Sequence, residues 1–359
     1  MKTRCLRLLF VAFLLLSSCV TEDYFGLSPY GNIKSIEVSN LAGIAVVNKD
    51  SQTISLPITN GVDLSSIVIQ SLTLSSFASS DLTVGDTIDL TSAQPIIVTA
   101  EDGSLHQWIL TAQIASSTPQ LTNGDFSDWY LTSDDYYEPG ESASTTIWGT
   151  GNPGSNTIGR IATTPYDAGD GNKIARLETL DNGIAGVPLN TPISAGSIFT
   201  GVFNTDKINP TNPEAAIDFG TPFVGRPVTL RFTYSYVPGE TNQDRKGNAL
   251  NYSDACDIYA LLEVRDGSST KRLATAWFRS SEVQTNLTTV EVTFTYGSLD
   301  SSFPDYMKPS TEAYVSSDSA TYVLPTHITF VASSSYDGAS FCGAVGSVLL
   351  LDDVEMVYE

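Results

Sequence analysis

The sequence predicts an all-β protein built as two sandwiches in series. Three observations carry that expectation. Thr, Ser, Val, Gly and aromatic residues are plentiful while Lys, Arg and Glu are sparse, and charged residues make up 16% of the 359. That balance favours strands over helices. Apolar residues alternate with polar ones through run after run of the chain, which is the period of a strand. No helical period persists beyond about two turns, and parallel α/β folds need crossover helices.

The N-terminus reads as an address. Lys2, Arg4 and Arg7 lead into an unbroken apolar run over residues 8–16. The run is too short for a bilayer, which takes about 20 residues, and right for a signal-peptide core. Leu16-Ser17-Ser18-Cys19 matches a lipobox. Residues 1–18 are therefore expected to be a lipoprotein signal peptide, with cleavage before Cys19 and lipidation on it, and 19–32 a polar tether. Attachment would be through acyl chains alone. Thr21-Glu22-Asp23 resembles the acidic export tag of surface lipoproteins in some Gram-negative bacteria. The expected location is the outer membrane, surface-exposed rather than facing the periplasm.

Charge excludes one class of partner. The chain has 18 basic and 40 acidic residues. Residues 1–18 hold three basic and no acidic side chains, so the mature chain keeps 15 against 40, a formal charge of −25. There is no basic footprint for nucleic acid. Of the four cysteines, Cys256 and Cys342 remain for a disulfide in an oxidising compartment. Each also sits beside strand-like sequence, where a buried free thiol is common. With only His106 and His327 and no Cys-x-x-Cys, a zinc site is not expected.

Residues 33–115 read as the first sandwich. Strand signals recur at 35–38, 43–47, 53–58, 66–74, 87–90, 95–99 and 107–112, with Ala100-Glu101-Asp102-Gly103-Ser104 as a tight turn before the last. Some seven strands in this length suggest an immunoglobulin-like sandwich. The segment from Ile97 to Trp108 resembles the last hairpin of Ig-like modules at the base of surface lipoproteins. Trp108 is expected in the core, and the domain to serve as a spacer. Residues 116–120 are a linker.

Residues 121–359 carry stronger strand signals. Leu230, Phe232, Tyr234 and Tyr236 alternate with Arg231, Thr233 and Ser235. Ile258, Ala260, Leu262 and Val264 repeat the pattern, as do Val290, Val292, Phe294 and Tyr296, and then Ile328, Phe330 and Ala332. An antiparallel two-sheet sandwich of jelly-roll type is the economical answer. Several short motifs then occur in order: Asn123-Gly124-Asp125-Phe126, Ser194-Ala195-Gly196-Ser197-Ile198-Phe199-Thr200-Gly201, Gly220-Thr221-Pro222-Phe223 with Arg226-Pro227, Tyr234-Ser235-Tyr236, Cys256-Asp257-Ile258-Tyr259, and the terminal stretch 346–358. Together they resemble the putative carbohydrate metabolism domain (PCMD) family of Gram-negative surface lipoproteins, over essentially all of 121–359. The resemblance implies a galactose-binding-like jelly roll and a glycan context. It brings no catalytic residues with it.

The side chains must then speak for themselves. A glycoside hydrolase needs two carboxylates about 5–10 Å apart. Asp128, Asp134, Asp135, Glu138, Glu178, Asp218, Asp257 and Glu263 are all candidates, too many to single out a pair. His327 lacks a nucleophile-elbow motif. Aromatics offer more. Tyr136, Tyr137 and Trp148 lie in the turn-rich stretch 127–156, where aromatic faces can stack on sugar rings and a neighbour such as Asp135 can bond hydroxyls. Trp129 and the pair Trp277-Phe278 are expected mostly in the core. The expected function is a surface lipoprotein whose jelly roll binds a polysaccharide or oligosaccharide in carbohydrate acquisition. A glycoside hydrolase and a structural or adhesive protein contacting other envelope proteins are the alternatives.

No cofactor is required by this reading, but one cation is suggested. By strict alternation Val348, Leu350, Asp352, Val354 and Met356 share the more apolar face of the last strand. A carboxylate there needs an arginine such as Arg231, backbone donors or a metal. A structural calcium held by Asp352, with Asp125 and backbone carbonyls completing the shell, is one solution.

Overall fold

The computed structural model describes residues 26–42, 44–59, 62–114, 118–169, 171–266 and 269–358. The signal peptide, Cys19, the acidic tag, residue 115 and residues 116 and 117 of the linker lie outside the described residues. The chain divides into two compact units, Met1–Ile114 and Ala115–Glu359. Among the described residues, no helix is long and apolar enough to cross a membrane.

The first unit is a two-sheet sandwich. Its strands are β1 (Ile33–Val38), β2 (Val46–Asn48), β3 (Thr53–Ile58), β4 (Ile67–Leu74), β5 (Ser79–Ser80), β6 (Thr87–Ile88), β7 (Gln94–Thr99) and β8 (Leu105–Ile114). One sheet runs β1-β4-β6 and the other β2-β3-β8-β7-β5, with β3 and β8 parallel. Alternation puts Ile36, Val38, Ile67 and Ile69 of the first sheet against Ile54, Leu56, Ile96 and Leu110 of the second. Trp108 is fully buried among them, and its Nε1 donates to the Gly31 carbonyl at 2.9 Å. That bond satisfies the one polar atom of a core tryptophan.

The second unit is a larger sandwich. In chain order its main strands begin with β9 (Trp148–Thr150), β10 (Thr163–Gly169), β11 (Asn172–Glu178), β12 (Ser197–Phe203), β13 (Ile217–Phe219) and β14 (Thr229–Val237). They continue with β15 (Cys256–Asp266), β16 (Ser269–Ser280), β17 (Gln284–Thr293), β18 (Thr295–Tyr296), β19 (His327–Ser333) and β20 (Val348–Val357). Among the described residues, one sheet of five strands runs β10-β11-β20-β14-β17. The other, of nine, runs β9-β12-β19-β15-β16-β18, with β13 and two shorter strands beside it. The core between them is the set the alternation predicts. Leu230, Phe232 and Tyr236 from β14 meet Ile258, Ala260 and Leu262 from β15 and Ile328, Phe330 and Ala332 from β19.

The last strand departs from simple alternation. It pairs with β14 as Thr233 to Asp352 and Arg231 to Glu355, so Phe232 faces two residues. This is a β-bulge, and Asp353 takes φ +49°. The extra residue switches the phase. Leu349 and Leu351, not Val348 and Leu350, are fully buried, and Val354 and Met356 resume the core face after the bulge. Asp352 therefore does not project into the core as strict alternation implies. It is still buried, and its carboxylate accepts from the Asp353 amide at 2.9 Å. Arg231 is not its partner, because it bonds Glu291 and Glu355 at 2.9 Å each. The opening motif docks beside the bulge. Val354 N–H donates to the Gly124 carbonyl at 2.8 Å, and a Cβ on residue 124 would come 2.4 Å from the Val354 carbonyl oxygen. Only glycine permits that approach.

Candidate functional site

The outer face of the nine-stranded sheet holds the site. In-register antiparallel pairing carries two rows of side chains across β12, β19, β15 and β16. One row is Ser197, Ser333, Asp257 and Arg279; the next is Phe199, Val331, Tyr259 and Trp277. Between them, Ile198, Ala332, Ile258 and Phe278 face the other way and pack on the core. Residues from 151–158, 182–195, 208–219 and 336–341, together with Tyr306, stand around these rows and enclose a cleft of about 390 Å³.

A buried ion pair sits in its floor. Asp257 Oδ1 accepts from Trp277 Nε1 at 2.6 Å and from Arg279 Nε at 3.1 Å, and Oδ2 accepts from Arg279 Nη2 at 2.6 Å. Burial pushes the Asp257 carboxyl up, against the opposing pull of Arg279 and Trp277. The guanidinium carbon lies 3.8 Å from the Tyr306 ring centroid and 4.3 Å from that of Tyr336, in cation–π range of both. Trp277 stacks on Tyr259, centroids 3.9 Å apart and planes 19° from parallel. Tyr306 meets Trp277 edge-on at 5.7 Å. Burial, and then the charges of Asp257 and Glu214, raise the Tyr259 phenol well above its ordinary value. It therefore stays a neutral hydrogen-bonding group. Among the described residues, Asp257 and Glu214 are the two carboxylates lining the cleft, and both oxygens of Asp257 are already engaged.

The aromatics expected to form the platform lie elsewhere. Trp148 is 3% exposed; its Nε1 donates to the Thr122 carbonyl at 2.7 Å, and its ring meets Phe330 edge-on at 5.6 Å. It is core because β9 turns that side chain toward the other sheet. Tyr136 is also buried, beside Glu138. Tyr137 is exposed on the short hairpin that pairs 129–131 with 137–139, and Asp135 occupies an exposed left-handed turn position, φ +63°. Of the stretch 127–156, Gly151, Gly154 and Ser155 reach the cleft. Trp129 is half-buried against the core, as expected. Trp277 is not core but cleft floor; Phe278 takes the core position.

The remaining candidates divide by surroundings. Glu263 is held by Arg265 Nε at 2.9 Å. Glu138 is 5% exposed with a single side-chain donor, Thr150 Oγ1 at 2.6 Å, and burial pushes its carboxyl up to about 7. His327 bonds Thr326 Oγ1 at 3.0 Å, and burial beside Arg265 pulls it down to about 4. Cys256 and Cys342 are free thiols rather than a disulfide. Cys256 points into the core from β15, whereas Cys342 follows the outer turn Gly338–Ser340.

The calcium expectation can be tested against the residues present. Asp125 lies near enough for its charge to raise Asp352, whose carboxyl burial lifts to about 6. Asp125 Oδ1 accepts from the Ser127 hydroxyl at 3.2 Å, and Asp352 Oδ1 accepts from the Asp353 amide. Among the described residues no group of three His, Cys, Asp or Glu could hold a metal ion. The side chains alone bring two carboxylates, short of the six to eight oxygens that calcium takes, so the rest of a shell would have to come from backbone carbonyls.

Sequence reasoning missed Arg279, Tyr306, Tyr336 and Glu214. For Arg279 a signal was present: Ala276 and Phe278 mark the core phase of β16, which leaves Trp277 and Arg279 facing outward together. Glu214 and Tyr306 come from single 3-10 turns and Tyr336 from a tight turn, all too short for a period to mark a face.

The fold and site define a class: a β-sandwich with an aromatic-walled cleft on one sheet. Within that class the chain belongs to the PCMD family, whose model, described as "Putative carbohydrate metabolism domain", matches residues 125–357. The protein is carbohydrate-related to that extent. It is similar in structure to a putative glycoside hydrolase from Bacteroides thetaiotaomicron, at 24% identity and TM-score 0.55, over 92% of this chain and 98% of that one. A putative glycoside hydrolase from Bacteroides vulgatus aligns at 24% identity and TM-score 0.52, over 66% of this chain and 97% of that one. At this identity the likeness is one of fold. No curated protein matches the sequence.

Proposed function

We propose that the second unit binds a glycan in the cleft on the nine-stranded sheet. One observation carries the reading: the Asp257–Arg279 pair set among the faces of Tyr259, Trp277, Tyr306 and Tyr336. Aromatic faces take the C–H face of a sugar ring, and a fixed ion pair with spare guanidinium N–H groups meets its hydroxyls. The PCMD match supports a carbohydrate ligand. Binding is favoured over hydrolysis because Asp257 spends both oxygens on Arg279 and Trp277. Among the described residues that leaves Glu214 as the one uncommitted carboxylate lining the cleft, whereas hydrolysis needs two.

The test is a glycan array followed by titration. Trp277→Ala should weaken binding of any glycan found by about 1–3 kcal/mol, by analogy with base stacking, while Tyr137→Ala should leave it intact. An array without a ligand, or equal binding by Trp277→Ala, would overturn the reading.

In the cell, the proposed setting is an acyl-anchored outer-membrane lipoprotein displayed at the surface, with the first unit as spacer. The Leu16-Ser17-Ser18-Cys19 motif and the acidic residues after it support this. Fractionation of Cys19→Ala checks it: release from the membrane is expected, and retention like the parent's would sink the anchor.

A further inference from the structure

The cleft changes character from one side to the other. Its floor passes from a polar row, Ser197, Ser333, Asp257 and Arg279, to a row of Phe199, Val331, Tyr259 and Trp277. Beyond Phe199 the apolar side continues. The Phe219 ring packs on Phe199 at 5.4 Å, and Phe203 and Ile217 line the wall. Leu189 and Ile208, which also line the cleft, keep 45% and 38% of their surface exposed. These six side chains, Leu189 included, offer no hydrogen bond. A sugar hydroxyl pressed against them would lose its water without replacement. An apolar group placed there would gain from burial. The volume of about 390 Å³ is near the lower end of the roughly 300–1,000 Å³ usual for small-molecule sites. That suits a ring and one substituent better than a run of polysaccharide.

We infer that the ligand is an amphiphilic sugar: a terminal glycosyl residue carrying an aryl or acyl group. The sugar ring lies on the Asp257, Arg279 and Trp277 side, and the substituent lies among Phe203, Ile208 and Phe219. The inference rests on the glycan-binding reading and narrows it to a class of ligand.

Calorimetric titration of the purified protein tests it with paired methyl and phenyl β-glycosides of glucose, galactose, mannose and xylose, and with phenol alone. For at least one sugar the phenyl glycoside should bind about tenfold tighter than the methyl glycoside, and phenol alone should bind far more weakly than either. In the double variant Ile208→Asn, Leu189→Asn, both rim positions, the phenyl-to-methyl ratio should fall toward one. A methyl glycoside that binds with no gain from phenyl overturns the amphiphile and leaves glycan binding standing. A ratio unchanged in the double variant overturns the placement of the apolar group. Phenol binding as tightly as its glycosides, or no glycoside binding at all, overturns both readings.

Discussion

The two sandwiches bury their strands differently. In β8, Trp108 and Leu110 are fully buried while Leu105 exposes 70% of its surface, so one face is core and the other meets water. In β15, Cys256, Asp257 and Ile258 are buried in succession, as are Ala260, Leu261, Leu262 and Glu263. That sheet is covered on both faces: by the opposite sheet on one side, by loops on the other. Among the described residues, every buried polar or charged side chain belongs to the second unit. A sheet covered once is a scaffold. A sheet covered twice encloses groups with chemistry, each of which must find a partner.

The largest break in this comparison should come from Trp108→Ala. It opens a cavity in the first core and should cost about 3–5 kcal/mol, read as an earlier urea transition of the first unit. Glycan affinity of the second unit should not change. If affinity fell in step with stability, the units would not act separately.

Next comes Glu138, a buried carboxylate with one side-chain donor. Its folded value of about 7 stands above an ordinary 4.5, so the folded state holds this proton more tightly than the unfolded chain. The stabilisation is full below about pH 4.5 and is lost as pH rises through 7. Asp352, lifted to about 6, acts in the same direction at slightly lower pH. The melting temperature should therefore fall between pH 5 and pH 8. Glu138→Gln should recover roughly 3 kcal/mol at pH 8 and little at pH 5. A flat profile in the parent would contradict the assignment.

Arg279→Met should cost somewhat less, about 2–3 kcal/mol, because it strands Asp257 while the lost guanidinium had some contact with water. Adding Asp257→Asn should restore much of that in denaturant melts, since the stranded charge is then gone. Equal instability in single and double variants would show that the pair matters for packing rather than charge.

The smallest effect concerns calcium. Melting temperatures in chelator and in millimolar calcium should agree, as among the described residues no group of three or more His, Cys, Asp or Glu side chains gathers around Asp352. A calcium-dependent rise would require a shell that includes backbone oxygens.

Much of this was legible in the sequence, for particular reasons. The phases at 230–236, 258–262 and 328–332 are periodic and long, so the core of the second sandwich could be read from them. The same periodicity exposed Asp257 and Tyr259 as the opposite face of β15, but an outward residue reads as solvated unless something covers it. What covers it comes from single turns too short to show a period, and so Tyr306, Tyr336 and Glu214 were invisible. Trp148 misled for the converse reason. Its strand has three residues, too short for alternation to show which way the ring turns. The terminal strand misled because a bulge leaves no mark in a run of Leu, Asp and Val.

That bulge has a consequence for insertions and deletions. Losing one residue from the middle of a strand normally sends every side chain beyond it to the wrong face. At Asp353 the reverse holds. Without it, Asp352 would still face Thr233, Val354 would face Phe232, and Glu355 would face Arg231. The ladder would close with Leu351, Val354 and Met356 all on the side they occupy now. The central strand of this sheet thus contains one codon whose removal leaves the frame of the fold intact. What would have to readjust is the clasp between Val354 and Gly124.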